Sequence, residues 1–260
     1  MSIIKSPEDI KKLKHSALIL RSALHQLELN LKPGVTAAFL NQVVETFIYD
    51  HKAKPSFKSL YGFPHTLVTE LNEVVVHGLS DEKTIIPENC IVSFDSGVCY
   101  DGLYSDMCLL FILGEVPDRV KKMKEITEKS LWAGIKQIKA GKKTGDIGFA
   151  VNKVIKDAGF GNVLDLGGHG LGYKPHDEPH ITHSGKLGTG SRLFENQVIA
   201  IEPMVTLGSG AVDFIPDKET GWEVVISKEK VWSAHIEHTI LVTKNGCEVL
   251  TDIPVDNLLI

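Results

Sequence analysis

Four carboxylates stand where the sequence otherwise reads as buried strand. Asp95 follows Ile91-Val92-Ser93-Phe94, and Asp106 precedes Met107-Cys108-Leu109-Leu110-Phe111. Glu202 closes the run Ile199-Ala200-Ile201, and Glu237 opens onto His238-Thr239-Ile240-Leu241-Val242. Acids in apolar strands are rare unless paired or bound to a metal. Between the two aspartates, Tyr100-Asp101-Gly102-Leu103 carries the Asp-Gly signal of a two-residue hairpin turn. With Asp101 and Gly102 as the loop, Asp95 pairs with Cys108 and Asp106 becomes its diagonal neighbour on one face. Two carboxylates so close repel each other. A divalent cation, a proton shared between them, or solvation of one at a strand end would each relieve this.

Gly167-Gly168-His169-Gly170-Leu171-Gly172 strips side chains from around a single histidine, so backbone can approach closely while the imidazole points one way. A phosphate cradle is the competing reading. No Lys-Ser/Thr pair follows, however, and Tyr173-Lys174-Pro175 forbids the helix that a dinucleotide loop must open. Asp95, Asp106, Glu202 and Glu237 carry four negative charges, which two divalent cations would neutralise. Mixed carboxylate and imidazole donors suit Mn, Fe(II), Co or Zn better than Mg or Ca. A closed structural zinc site would use Cys and His instead.

The elements that must position these groups follow from periodicity. Ile10, Leu13, Ala17, Leu20, Leu24, Leu27 and Leu31 form one helical stripe, opened by Ser6-Pro7-Glu8-Asp9 and ended by Lys32-Pro33-Gly34. A second helix follows Thr36, with Phe39, Leu40, Val43, Val44 and Phe47 expected inward. Strands are expected at Val74–Val76, Ile91–Phe94 and Met107–Leu113. An amphipathic helix then spans Pro117–Lys139, and another Asp146–Ala158 after Thr144. Helix, Lys-x-Gly, Thr-capped helix and strands thus occur twice, which reads as two related halves, roughly 1–115 and 116–260, sharing one sheet. No Pro-, Ser- or Gly-rich linker separates them, so a single domain of residues 1–260 is expected.

The 260 residues are 43% apolar and 23% charged, with net charge −5. These are globular proportions, and they lack the basic footprint of a nucleic-acid binder. No secretory signal is visible in Met1-Ser2-Ile3-Ile4-Lys5-Ser6-Pro7-Glu8, and no apolar run approaches the roughly 20 residues that span a bilayer. Cys90, Cys99, Cys108 and Cys247 lack metal-binding spacing and read as reduced core residues. A cytoplasmic location and no membrane partner are expected.

At these residues the sequence resembles the type I methionine aminopeptidases of the pita-bread (creatinase/aminopeptidase-like) fold. The matching stretches are Asn72-Glu73-Val74-Val75-Val76-His77-Gly78, Asp95 with Asp106 eleven residues on, and Gly168-His169-Gly170-Leu171-Gly172. His176-Asp177-Glu178-Pro179, Ile201-Glu202-Pro203-Met204, Glu237-His238-Thr239 and the tail Thr243-Lys244-Asn245-Gly246-Cys247-Glu248 continue it. The resemblance implies an α+β fold of two pseudo-symmetric halves sharing a curved, mainly antiparallel sheet covered by helices. It also implies two metal ions held by Asp95, Asp106, His169, Glu202 and Glu237, with Asp106 and Glu237 bridging. A water shared by the metals would be the nucleophile, and Glu202 would take its proton. His176 would bind the scissile carbonyl as the oxyanion forms, and His77 would contact the peptide nitrogen. The substrate's free amine would ligate one metal. The implied substrates are nascent proteins with an N-terminal methionine and a small second residue; the chain's own Met1-Ser2 start would qualify.

Departures from the family pattern fall in the side-chain pocket. Val68 stands where Cys is common, Thr69-Glu70-Leu71 is unusual, Phe63 replaces a frequent Tyr, and Pro175 replaces a frequent Phe. Trp222 matches the pocket tryptophan, although a structural Trp would look the same. Gly97 replaces a common Thr, and Asp95-Ser96-Gly97 with Ser105-Asp106 is similar to Xaa-Pro peptidases. An Xaa-Pro peptidase is therefore the alternative enzyme, opposed by His77 in its motif and by the short length. A non-catalytic binding relative would lack ligands, and all five are present. Lys121-Lys122-Lys124 reads as a solvated helix face rather than a ribosome contact, and His180 and His183 as loop residues beyond the motif. With no helix stripe left over, a monomer is expected.

Overall fold

Ser6 opens the first helix: its hydroxyl accepts the Asp9 N–H, Pro7 takes the first helical position, and Glu8 and Asp9 meet the helix dipole. In chain order the elements are α1 (Pro7–Asn30), α2 (Ala37–Asp50), β1 (Lys54–Pro55), β2 (Leu67–Leu71), β3 (Val74–Val76), β4 (Cys90–Tyr100), β5 (Leu103–Leu113), α3 (Asp118–Ile135) and α4 (Thr144–Asp157). Then come β6 (Gly161–Asn162), β7 (Gly167–Gly170), β8 (Asp177–Thr182), β9 (Val198–Ile201), β10 (Met204–Thr206), β11 (Val212–Pro216), β12 (Glu223–Ser227), β13 (Ser233–His235), β14 (Glu237–Val242) and β15 (Cys247–Val249). This computed structural model describes residues 3–259, so the Met1-Ser2 start lies outside the described residues.

The main sheet has nine strands, with the path β1-β4-β5-β14-β9-β7-β8; β2 adds to β4 and β15 to β14. Every pairing in it is antiparallel. Two smaller sheets, β13-β10-β6 and β11-β12-β3, complete the strand layer. Leu20 and Leu24 of α1 and Leu40 and Val44 of α2 pack on Val92 and Phe94 of β4. Met123 and Leu131 of α3 and Ile147 and Val151 of α4 pack on Ile199, Ile201 and Ile240. Each helix pair thus covers its own part of the shared sheet, and the α+β pita-bread architecture expected from the sequence is the one observed. Among the described residues, no helix is long and apolar enough to cross a membrane.

Several local expectations need correction. Phe39 is 46% exposed, because the inward face of α2 is Ala37, Leu40, Val44 and Ile48, and Phe39 lies off that stripe. Helix α3 stops at Ile135, before Lys139. Helix α4 starts at Thr144 with Lys143 in the cap position. Thr144 does not cap it: its hydroxyl accepts the Ser191 N–H (3.1 Å). Asp146 takes over, accepting the N–H groups of Lys143 (3.2 Å) and Gly188 (2.7 Å). All four cysteines are free, as expected.

Candidate metal centre and active site

The register of three strands brings the acids together. In β4–β5, Asp95 lies opposite Cys108 and Gly97 opposite Asp106. The turn residues Asp101 and Gly102 both have positive φ (48° and 82°), the signature of a type I′ hairpin whose twist matches the strands. On the next strand Glu237 pairs with Cys108. Asp95, Asp106, Cys108 and Glu237 therefore share one face, opposite the helix-covered face that carries Phe94. Thr239 locks this register, since its hydroxyl accepts the Asp106 N–H (2.8 Å) and donates to the Asp106 carbonyl (2.7 Å).

His169 arrives from β7, where glycines let backbone pass closely: a Cβ on Gly168 would lie 2.2 Å from the Ala200 carbonyl oxygen. Its Nδ1 lies 3.0 Å from the Gly170 carbonyl, so Nδ1 carries the proton and Nε2 keeps its lone pair. That lone pair faces Glu202 Oε1 at 3.5 Å and Asp106 Oδ2 at 3.9 Å. Two sets of donor atoms, Asp95/Asp106/Glu237 and His169/Glu202/Glu237, each lie within 4.8 Å of one another.

The electrostatics fit divalent cations. Asp95 Oδ1, Asp106 Oδ1 and Glu237 Oε1 are buried without hydrogen-bond partners, a costly arrangement for charged oxygens. Burial, with help from neighbouring acids, pushes Asp106 and Glu237 well above the usual carboxylate range. It lifts Asp95 to about 7 and raises Glu202 strongly. Burial likewise holds His169 at about 3, leaving the neutral imidazole that a metal requires. Four crowded acids that resist ionisation and an imidazole presenting its lone pair are what cations would stabilise.

The acids line a cavity of about 310 Å³ whose other walls include Phe63, Val68, Trp222, His77 and His176. Phe57, Phe63 and Val68 form an apolar cluster with Leu79 and Trp222 packed against it. Trp222 Nε1 donates to the His77 carbonyl (3.0 Å) and so pins a residue held at φ 64°. His77 and His176 stand at the rim, each with an edge in solvent. The surrounding protein still disfavours their charged forms, and His77 is pushed down to about 4. His176 meets the His169 ring edge-on, with centroids 4.4 Å apart.

All ten residues singled out from the sequence thus meet at one cavity. Two more were missed. His183, taken for a loop residue, is fully buried and accepts the Glu202 N–H at Nε2 (3.3 Å), while His180 is exposed. His235 lines the cavity and pairs with buried Glu70. The isolated acid in Leu67-Val68-Thr69-Glu70-Leu71 was the available signal for that pair.

A cavity combining converging acids with neutral imidazoles on this fold defines a metal-dependent hydrolase. Comparison with known proteins agrees: the family model for metallopeptidase family M24 matches residues 11–244, and the chain belongs to that family. Within it the chain aligns over nearly its whole length with proteins named methionine aminopeptidase. The Clostridium perfringens protein of that name is 37% identical, over 96% of this chain and 99% of its own. The crystal structure of methionine aminopeptidase from Thermotoga maritima superposes with a TM-score of 0.92 at 36% identity, covering 97% of this chain and all of that one. The prolidase from Pyrococcus horikoshii shares the fold alone, with a TM-score of 0.77 at 23% identity over 97% of this chain and 64% of its own.

Proposed function

We propose that the protein is a methionyl aminopeptidase, which removes the initiator methionine from nascent proteins whose second residue is small. The observation that carries this reading is the single cavity that joins an apolar recess at Phe63, Val68 and Trp222 to the acidic cluster. The recess is apolar and opens onto the carboxylates, so an apolar side chain seated there would bring a free amine beside them, which favours an exopeptidase. Asp95, Asp106, His169, Glu202 and Glu237 would hold two divalent cations (Co, Mn, Fe(II) or Zn). When bound, the cations supply Lewis acidity that lets a water lose its proton near neutral pH.

The chain's own groups do the rest. Glu202 receives that proton and returns one to the departing amine, its carboxyl oxygens lying in the cavity between His169 and His235. His176, neutral at the rim, donates a hydrogen bond to the carbonyl oxygen as negative charge develops. His77, fixed through its carbonyl by Trp222, contacts the scissile peptide nitrogen, a neutral imidazole accepting its N–H. His183 keeps Glu202 in place through its backbone N–H.

The same reading makes the protein a cytoplasmic monomer whose two related halves, 1–115 and 116–260, form one domain. The helix face of Lys121, Lys122 and Lys124 is paired with Asp118, Glu125 and Glu128 of the same helix, which supports a solvated surface over a ribosome contact. The test is steady-state cleavage of Met-Ala-Ser, Leu-Ala-Ser and Ala-Pro-Ser by metal-stripped protein resupplied with Mn, Co, Fe(II) or Zn. Metal-dependent release of methionine alone is expected. Cleavage only before proline would move the protein to the Xaa-Pro peptidases.

A further inference from the structure

His235 carries the same features that mark His169 as a metal ligand. Its ring is 2% exposed and its Nδ1 lies 2.9 and 3.1 Å from the two oxygens of Glu70, which is itself fully buried. Ser93 closes a loop around the pair: its hydroxyl oxygen accepts the His235 N–H at 3.2 Å, and its side chain also hydrogen-bonds Glu70. Glu70 accepts the Ser93 hydroxyl and lies against His235 Nδ1, while its burial raises its proton affinity well above the usual carboxylate range, so the pair shares one buried proton. With that proton on Nδ1, as cation binding at the cavity side requires, Nε2 keeps its lone pair. That nitrogen is buried, has no hydrogen-bond partner and lines the active-site cavity.

The lone pair faces Glu202 Oε2 at 3.8 Å, while His169 Nε2 faces Glu202 Oε1 at 3.5 Å. Both gaps exceed a hydrogen bond, and both fall in the range separating the other candidate donor atoms. Glu202 is therefore flanked by two imidazoles, one on each oxygen, and both present lone pairs. A lone pair opposite a carboxyl oxygen calls for something positive between them, a proton on Glu202 in the metal-free fold or a cation in the loaded one. The backbone of His235 is anchored at both ends, by Ser93 on its N–H and by the Cys108 thiol on its carbonyl (3.6 Å). The ring itself is held by its Nδ1 contact with Glu70 and by its burial.

We infer that His235, oriented by Glu70, is a further metal ligand of this site, acting on the Glu202 side of the cavity opposite His169. Glu70 is then the outer-layer carboxylate of a carboxylate–histidine–metal arrangement, the usual means of fixing a ligating imidazole's tautomer and orientation. The inference rests on the metallopeptidase reading of the cavity and adds to it a ligand and its support.

The decisive experiment observes the nitrogens directly. Metal-free protein carrying 15N-labelled histidine is followed by long-range 1H–15N NMR as Zn(II) is added stepwise, and needs no substrate. The expected result is that Nε2 of His169 and Nε2 of His235 shift together, with Nδ1 of His235 protonated throughout. Movement of His169 alone overturns the proposal, as does binding of Zn(II) at Nδ1 of His235 with loss of that shift in Cys108→Ser, which would put the cation between Glu70 and Cys108. Glu70→Gln, its fold checked by circular dichroism, should weaken Zn(II) binding by about 10–100-fold in competition with a chromophoric chelator; unchanged affinity would count against the role of Glu70. Should that variant not fold, the wild-type NMR result still decides. Cleavage of Met-Ala-Ser with an unmoved His235 would refute this ligand and leave the proposed function standing; shifts at both histidines without methionine release would do the reverse.

Discussion

Glu202 bears the heaviest chemical demand of any residue in the cavity, because it must both face a cation and carry a proton. Glu202→Gln keeps the shape and the backbone bond to His183 but removes the basic oxygen. A fall in kcat of about 10²–10⁴-fold is expected, with circular dichroism unchanged; a loss below tenfold would show that another group moves the proton. Trp222 acts at one remove, through His77. Trp222→Phe retains most of the apolar wall and deletes the donor to the His77 carbonyl. One neutral hydrogen bond is equivalent to about 0.5–1.5 kcal/mol, so kcat/KM should fall between about 2-fold and 10-fold. A measured loss with Trp222→Phe equal to that of Trp222→Ala would assign the effect to the hydrogen bond and not to the wall.

Strand register is what turns scattered acids into a site, and two glycines test it in opposite ways. At Gly168 a Cβ would meet the Ala200 carbonyl oxygen at 2.2 Å, so Gly168→Ala must push β7 away from β9 and carry His169 with it. Stability should drop by about 1–3 kcal/mol, and metal affinity should fall as well. At Gly102 nothing lies within 4 Å, but φ is +82°, so Gly102→Ala costs about 1–2 kcal/mol of backbone strain at the hairpin tip. Metal affinity should survive there. Calorimetric metal binding on both variants separates the two effects, and equal affinities would undo the claim that β7 spacing sets His169. The hairpin was legible in the sequence because Asp101-Gly102 announces the turn, and period-two alternation then assigns each face. The inward face of α2 was misread because Phe39 is apolar but off the stripe that touches the sheet. His183 and His235 escaped for a different reason. Their partners, Glu202 and Glu70, are 19 and 165 positions away, and no local pattern encodes contacts made only by strand order.

Across the whole molecule, the buried acids and buried histidines impose opposite pH dependences on the metal-free fold. Burial lifts Asp95 to about 7 in the folded state against the ordinary 3.8, so the folded protein binds the extra proton between those limits. Its contribution to stability is therefore lost as pH rises through that window, and Asp106, Glu202 and Glu237, also raised by burial, act in the same direction. His77, His169, His183, His235 and His238 lie at about 3 to 4 against 6.5 unfolded, so there the unfolded chain binds the extra protons. Their contribution is lost as pH falls from 6.5 towards 4. Above 6.5 the histidines no longer contribute a slope, and the acids set it, joined towards pH 9 by the buried Cys90 and Cys108 thiols, whose raised values act in the same direction. Metal-free protein should consequently melt at progressively lower temperature as pH is raised above 6.5. Divalent metal reverses this, since cations bind the ionised acids of the folded state and add about 2.7 kcal/mol at a free concentration 100 times Kd. Calorimetric scans from pH 5 to pH 9 with and without Mn(II) should therefore diverge towards alkaline pH. Parallel curves would mean that the acids are not the groups the metal engages, and the assignment of the centre to Asp95, Asp106, Glu202 and Glu237 would fall with them.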